Sequence, residues 1–154
     1  MAVDLREKLR AALHQPLRDG GPAPRVESVT ELDDLSGLGG HWFQSPYGPG
    51  YIVESTYEGA HAHGNIPLHR ALGADAGKLA GQARDTRLAD VSPRDFLFID
   101  TETTGLGGAG SMVFLAGVAR FDGSLLRLRQ YLLPAPQYEG GLLGGLAEDI
   151  AAAG

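Results

Sequence analysis

An apolar run that stops on an acid, Phe96-Leu97-Phe98-Ile99 and then Asp100-Thr101-Glu102, restricts the folds open to this chain more than any other feature. So short and continuous a run suits a strand buried on both faces, with a carboxylate at its carboxyl end. A glycine-rich loop from Thr104 to Gly110 leads into a second buried strand, Met112-Val113-Phe114-Leu115-Ala116-Gly117-Val118-Ala119. Phe121-Asp122-Gly123-Ser124 then carries the Asp-Gly signature of a type I′ hairpin. In the returning strand Leu126, Leu128, Gln130 and Leu132 share one face. Leu125, Arg127, Arg129, Tyr131 and Leu133 share the other, read as solvated. Past Pro134 and Pro136, Leu142, Leu143, Leu146 and Ile150 mark one side of a weak helix diluted by Gly140, Gly141, Gly144 and Gly145. The order is strand, strand, strand, helix.

Upstream, Leu5, Leu9, Leu13 and Leu17 recur every fourth residue and predict an amphipathic docking helix over about residues 3–15. Asp19-Gly20-Gly21-Pro22-Ala23-Pro24 reads as a linker. Between His41 and Tyr57, two runs rich in aromatic and β-branched residues flank Ser45-Pro46-Tyr47-Gly48-Pro49-Gly50, the pattern of a hairpin with a longer loop. Residues 74–90, polar and alanine-rich, read as a tether. Three regions result: 1–37 as amino-terminal helix and linker, 38–91 as a small β-containing region and tether, and 92–154 as the segment that carries the acids.

A formal charge of −6 argues against a protein that holds nucleic acid through a broad basic surface. It leaves room for an acidic site whose sign is reversed locally by bound cations. Without cysteine, disulfides and thiolate metal sites are excluded. The mixed charges of Met1 to Lys8 are not those of a secretory signal, and no stretch approaches a membrane span, so a cytoplasmic protein is the expectation.

Alternate residues of an extended segment point the same way, so Asp100 and Glu102 can converge on one site. Two anionic groups at one point repel unless a cation sits between them. Mg2+ or Mn2+, which prefer carboxylate and water, answer that need. Such an ion orients a water nucleophile and stabilises charge on a phosphodiester in flight. Thr103, Thr104 and Gly105 fit a bound nucleotide, through hydroxyls and a glycine that lets backbone come close.

The stretch Phe98-Ile99-Asp100-Thr101-Glu102-Thr103-Thr104-Gly105-Leu106 resembles the first motif of the DEDD exonucleases, the DnaQ-like branch of the ribonuclease H-like superfamily. Gly108-Ala109-Gly110, the run Phe114 to Ala119, and Gln130-Tyr131 are similar to the YprB-type ribonuclease H-like proteins. Glu54 to Tyr57 and His61 to Gly64 look like their amino-terminal region. The resemblance implies an α/β, incomplete ribonuclease H-like fold: a three-stranded mixed sheet plus first helix, preceded by a small, mostly β region. It implies metal-dependent 3′-to-5′ exonuclease chemistry on DNA or RNA ends, with Asp100 and Glu102 as catalytic metal ligands.

Further acids and a general base stand later in that family, and nothing after Asp122 matches them. Glu139, Glu148 and Asp149 suit a helix start and a solvated helix end. The family's first strand is central, so here its apolar edge would be unpaired. The chain is therefore expected to be a piece of a longer protein, or to have that edge covered by another chain, and to be inactive alone.

Two other readings stand beside this one. Asp100 could be the nucleophile of a haloacid-dehalogenase-type phosphatase, although that pattern has a second aspartate where this chain has Glu102. The chain could also be a non-catalytic nucleic-acid-binding partial domain. His61 and His63, with His69 nearby, are read as structural or surface histidines, since two ligands alone rarely hold a metal. Arg120, Arg127 and Arg129 are read as protection of a hairpin edge in preference to a phosphate track.

Overall fold

A computed structural model describes residues 33–104 and 111–153. The helix expected over 3–15, the linker at 19–24, Gly105 and the glycines up to Gly110 lie outside the described residues. The chain divides into two units, Met1–Gly39 and Gly40–Gly154. Of the first, the described part is a short 3-10 helix, Asp33–Leu38.

In the second unit, β1 (His41–Ser45) and β2 (Gly48–Tyr57) form the expected hairpin. Its loop is tighter than the sequence suggested. Ser45 pairs with Gly48, leaving Pro46 and Tyr47 as the turn. Ser45 Oγ accepts from the Tyr47 N–H at 3.1 Å and donates to the Gly48 carbonyl at 3.0 Å, and Gly48 takes a φ of 121°. Proline's fixed φ suits the first turn position.

A two-stranded ribbon of β3 (Ala62–His63) and β4 (Ile66–Pro67) follows, and then α1 (Ala76–Ala83). That helix lies in the stretch expected to be a tether. Asp75 caps it by accepting from the Lys78 N–H at 3.1 Å, and Arg84 ends it in the left-handed conformation. Further on, the Arg87 guanidinium and backbone N–H both bond Asp85, whose carboxyl is held down to about 2.

The sheet corrects the three-stranded mixed expectation. It has five strands in the order β1-β2-β7-β6-β5, where β5 is Phe98–Thr103, β6 Val113–Asp122 and β7 Leu125–Leu132. Every pairing is antiparallel. The added strands come from the upstream hairpin: β2 joins β7 from Tyr51↔Leu132 to Tyr57↔Leu126. The β6–β7 turn also differs from type I′. Asp122 pairs with Leu125, so Gly123 and Ser124 are central, and of these only Gly123 has positive φ, at 62°. One positive φ at the first central residue is the II′ pattern.

The helix α2 (Glu139–Ala152) covers one face of the sheet. Leu142, Leu146 and Ile150 recur at four-residue spacing and are buried, Leu142 completely. The glycines called diluting are contact residues. A Cβ on Gly140 would lie 2.5 Å from the Tyr47 carbonyl, on Gly144 2.5 Å from Ser45 Oγ, and on Gly145 2.5 Å from Tyr131 Cε1. They let the helix backbone rest on the β1–β2 hairpin, which offsets a propensity cost of up to about 1 kcal/mol per glycine.

The arginine face, expected to be solvated, is so only in part: Arg127 and Arg129 are exposed, but α2 comes over its Tyr131 end. Tyr131 is 3% exposed, and its hydroxyl donates to Asp149 Oδ2 at 2.7 Å. Arg129 bridges Glu54 at 2.9 Å and Asp149 at 2.7 Å. Asp149 is thus an anchor, not a solvated helix end. Burial of the Tyr131 phenol, and then its bond to Asp149, push its pKa up. Burial works against the Arg129 charge, but Asp149 and Glu54 outweigh it and the net shift is upward. Tyr131→Phe keeps the ring and removes this hydrogen bond. It is expected to lower stability by about 1 kcal/mol, read as a lower urea midpoint at unchanged slope.

Candidate metal and nucleic-acid site

Asp100 and Glu102 lie within β5, not beyond its end, because the strand continues to Thr103. As alternate residues they share a face, and cross-strand pairing identifies it. Phe98 pairs with Ala119, Asp100 with Gly117 and Glu102 with Leu115. Those β6 residues are opposite Leu128, Gln130 and Leu132 of β7. The acids therefore stand on the leucine face, opposite to that covered by α2.

The expectation of a strand buried on both faces does not hold. All of β5 is exposed, with Phe98 at 40% and Ile99 at 37%. The cause is position: β5 is an edge strand whose one described neighbour is β6. The unpaired apolar edge foreseen from the sequence is thus present among the described residues.

Beside the acids is an open depression of about 250 Å³, lined by Phe98, Asp100, Glu102, Leu115, Gly117 and Gln130 among others. Gly117 has no side chain to fill the space in front of Asp100, and a Cβ there would be 3.9 Å from the Asp100 carbonyl oxygen. The depression reaches across that row as far as Gln130. Sequence reasoning did not assign Gly117 or Gln130 a place at the site. The signal that would have found them is register, which is a long-range property.

Between Glu102 and Thr103 the pairing jumps from Leu115 to Val113, so β6 carries one extra residue, Phe114. Bulges of this kind increase local twist and re-aim side chains. Beyond it, the Thr104 N–H donates to the Met112 carbonyl at 2.9 Å, and Thr104 Oγ1 accepts from the Met112 N–H at 3.1 Å. That clasp engages the Thr104 hydroxyl as acceptor. Thr103 is the first residue past the bulge, and Gly105 lies outside the described residues.

The donor set suits a hard divalent cation in kind: two carboxylates, exposed and on one face. Asp100 Oδ1 accepts from the neighbouring Thr101 N–H at 3.0 Å. Among the described residues, no group of three or more His, Cys, Asp or Glu is placed to hold a metal. The histidines do not add one. His69 Nδ1 bonds the Gly59 carbonyl at 2.8 Å, and His61 packs at a tilt against Tyr57 with ring centroids 4.9 Å apart. Of the arginines, Arg127 pairs with Asp122 at 2.7 Å, and Arg129 with Glu54 and Asp149. Both project from the helix-covered face, away from the acids. No helix among the described residues is long and apolar enough to cross a membrane.

Residues 97–153 match the family model described as the RNase_H superfamily. The chain is also similar to YprB of Bacillus subtilis (strain 168), itself described as uncharacterized. The identity is 42% over 57 residues, covering 36% of this chain and 14% of that protein. The matched stretch thus spans about a seventh of the relative's length.

Proposed function

We propose, from the premise that residues 97–153 are a YprB-type ribonuclease H-like segment, that this chain contributes part of a metal-dependent nuclease site. The substrate is a nucleic-acid phosphodiester, attacked at a 3′ end of DNA or RNA. The supporting observation is that Asp100 and Glu102 stand on one face of β5, above the low floor at Gly117, inside the matched segment. Ribonuclease H-like domains typically bind nucleic acid and use divalent metals, which fits a carboxylate pair on an otherwise acidic chain.

Asp100 and Glu102 would hold Mg2+ or Mn2+, which supplies an activated water and charge stabilisation at phosphorus when bound. The chain's own residues do the positioning. Pairing with β6 fixes the spacing of the two carboxylates, and Gly117 leaves space for a phosphate to approach Asp100. Thr103, Thr104 and Gly105 are the residues proposed to orient a terminal nucleotide. The remaining ligands and the general base come from outside the described residues.

One observation favours a second reading, a partial domain that binds without cutting: no third ligand stands with the acid pair among the described residues. The match to the ribonuclease H superfamily weighs against the phosphatase alternative.

Mn2+ titration followed by NMR tests the site. Broadening should centre on Asp100, Glu102 and Gly117, with an affinity on the order of millimolar for two carboxylates. Broadening centred on His61 and His63, or unaltered by Asp100→Asn, would count against the assignment. A nuclease assay on labelled single-stranded DNA and RNA then compares this chain with one extended past Gly154. Metal-dependent trimming by the unextended chain would refute the partial-site reading.

A further inference from the structure

We infer that the ribonuclease H-like segment of this chain does not fold independently: the folding unit begins at Gly40, with the β1–β2 hairpin as an obligatory part of it. Three independent observations meet on the hairpin. First, β2 pairs with β7 over seven residue pairs, from Tyr51↔Leu132 to Tyr57↔Leu126, so the hairpin occupies the edge that β7 would otherwise expose. Second, α2 is cut to fit it. A Cβ on Gly140 would meet the Tyr47 carbonyl, on Gly141 the Pro49 carbonyl and the Gly50 nitrogen, and on Gly144 Ser45 Oγ. Third, the polar tie is three-cornered: Arg129 of β7 bonds Glu54 of the hairpin and Asp149 of the helix.

Remove the hairpin, and the glycine face of α2 loses the backbone it rests on. A helix with four glycines among its first seven residues has little intrinsic stability to survive that loss. Phe43 would also leave Tyr131, on which it packs edge-on with centroids 5.6 Å apart. The glycine pairs of α2 and the Ser45–Gly50 stretch of the hairpin are therefore a matched set. A chain that carries one is expected to carry the other.

The full chain tests this without dissection. Its one tryptophan, Trp42, lies in β1 and reports on the hairpin by fluorescence, while hydrogen exchange of β6 and α2 peptides reports on the ribonuclease H-like segment. Across a urea series the two probes should give one coincident transition. Gly144→Ala should shift both to lower urea by the same amount, whereas Gly81→Ala in α1, where a Cβ meets nothing within 4 Å, should shift neither downward. A Trp42 transition at lower urea than a still-protected β6 would overturn the inference. So would a Gly144→Ala protein whose Trp42 midpoint stays unchanged while α2 loses protection. If Gly144→Ala does not fold, the probe comparison on the unsubstituted chain still decides.

Discussion

Gly141→Ala should melt on the order of 8 °C below the parent chain, against the direction that helix propensity alone predicts. In an exposed helix the change gains about 1 kcal/mol. Here the new methyl group would collide with the Pro49 carbonyl and lie 2.7 Å from the Gly50 nitrogen, both backbone atoms held by strand pairing. Neither can swing aside as a side-chain tip would. Against backbone atoms that cannot yield, overpacking costs about 3 kcal/mol, the upper end of its usual range; less the propensity gain this leaves about 2 kcal/mol, which at this chain length corresponds to the stated shift. Gly81→Ala is the control, with open space around its Cβ and an expected change from zero to slightly positive. Paired thermal melts read the difference. Gly141→Ala melting at or above the parent would mean that the helix stands off the hairpin.

The second large effect concerns the acids. In a chain that has the complete site, Asp100→Asn should reduce metal-dependent trimming by about 1,000-fold, which is about 4 kcal/mol of lost transition-state stabilisation. Asparagine keeps the shape and loses the charge. Because Asp100 is exposed and in no ion pair among the described residues, the melting temperature should hold, and this separates loss of chemistry from loss of fold. Glu102→Gln should lose a similar factor. The double variant should lose little more than either, since ligands of one ion act as a unit. An Asp100→Asn protein trimming at the parent rate would remove Asp100 from the site.

These two predictions differ in how much of their basis was legible in the sequence. The shared face of the two acids was legible, because period-2 alternation is local: knowing that Thr101 is extended suffices to put Asp100 and Glu102 on one side. The order from Phe98 through Val113 and Leu125 to Glu139 was legible for the same reason, from apolar runs and turn residues. What the local pattern does not contain is which face becomes covered. Arg127, Arg129 and Tyr131 alternate like any solvated face. Tyr131 is covered because a helix that starts at Glu139 comes back over it, and Asp149 meets it and Arg129 there, while both arginines stay exposed. Nor does local pattern show that Glu54 will meet Arg129, 75 residues away, which is what enlarges the sheet to five strands. The glycines of α2 were seen but valued by propensity, when close approach to Tyr47, Pro49 and Phe43 is their use. The exposure of β5 has the same origin: apolar composition predicts that a strand is suited to burial, and only its neighbours decide whether it is buried.

The two-way clasp between Thr104 and Met112 sets the separation of two chain ends two residues beyond Glu102, whatever runs between them. Closing a span costs free energy that grows only with the logarithm of its length, about 0.6 kcal/mol for each doubling. While the clasp holds, a longer span between Thr104 and Met112 would therefore cost β5 and β6 little in closure.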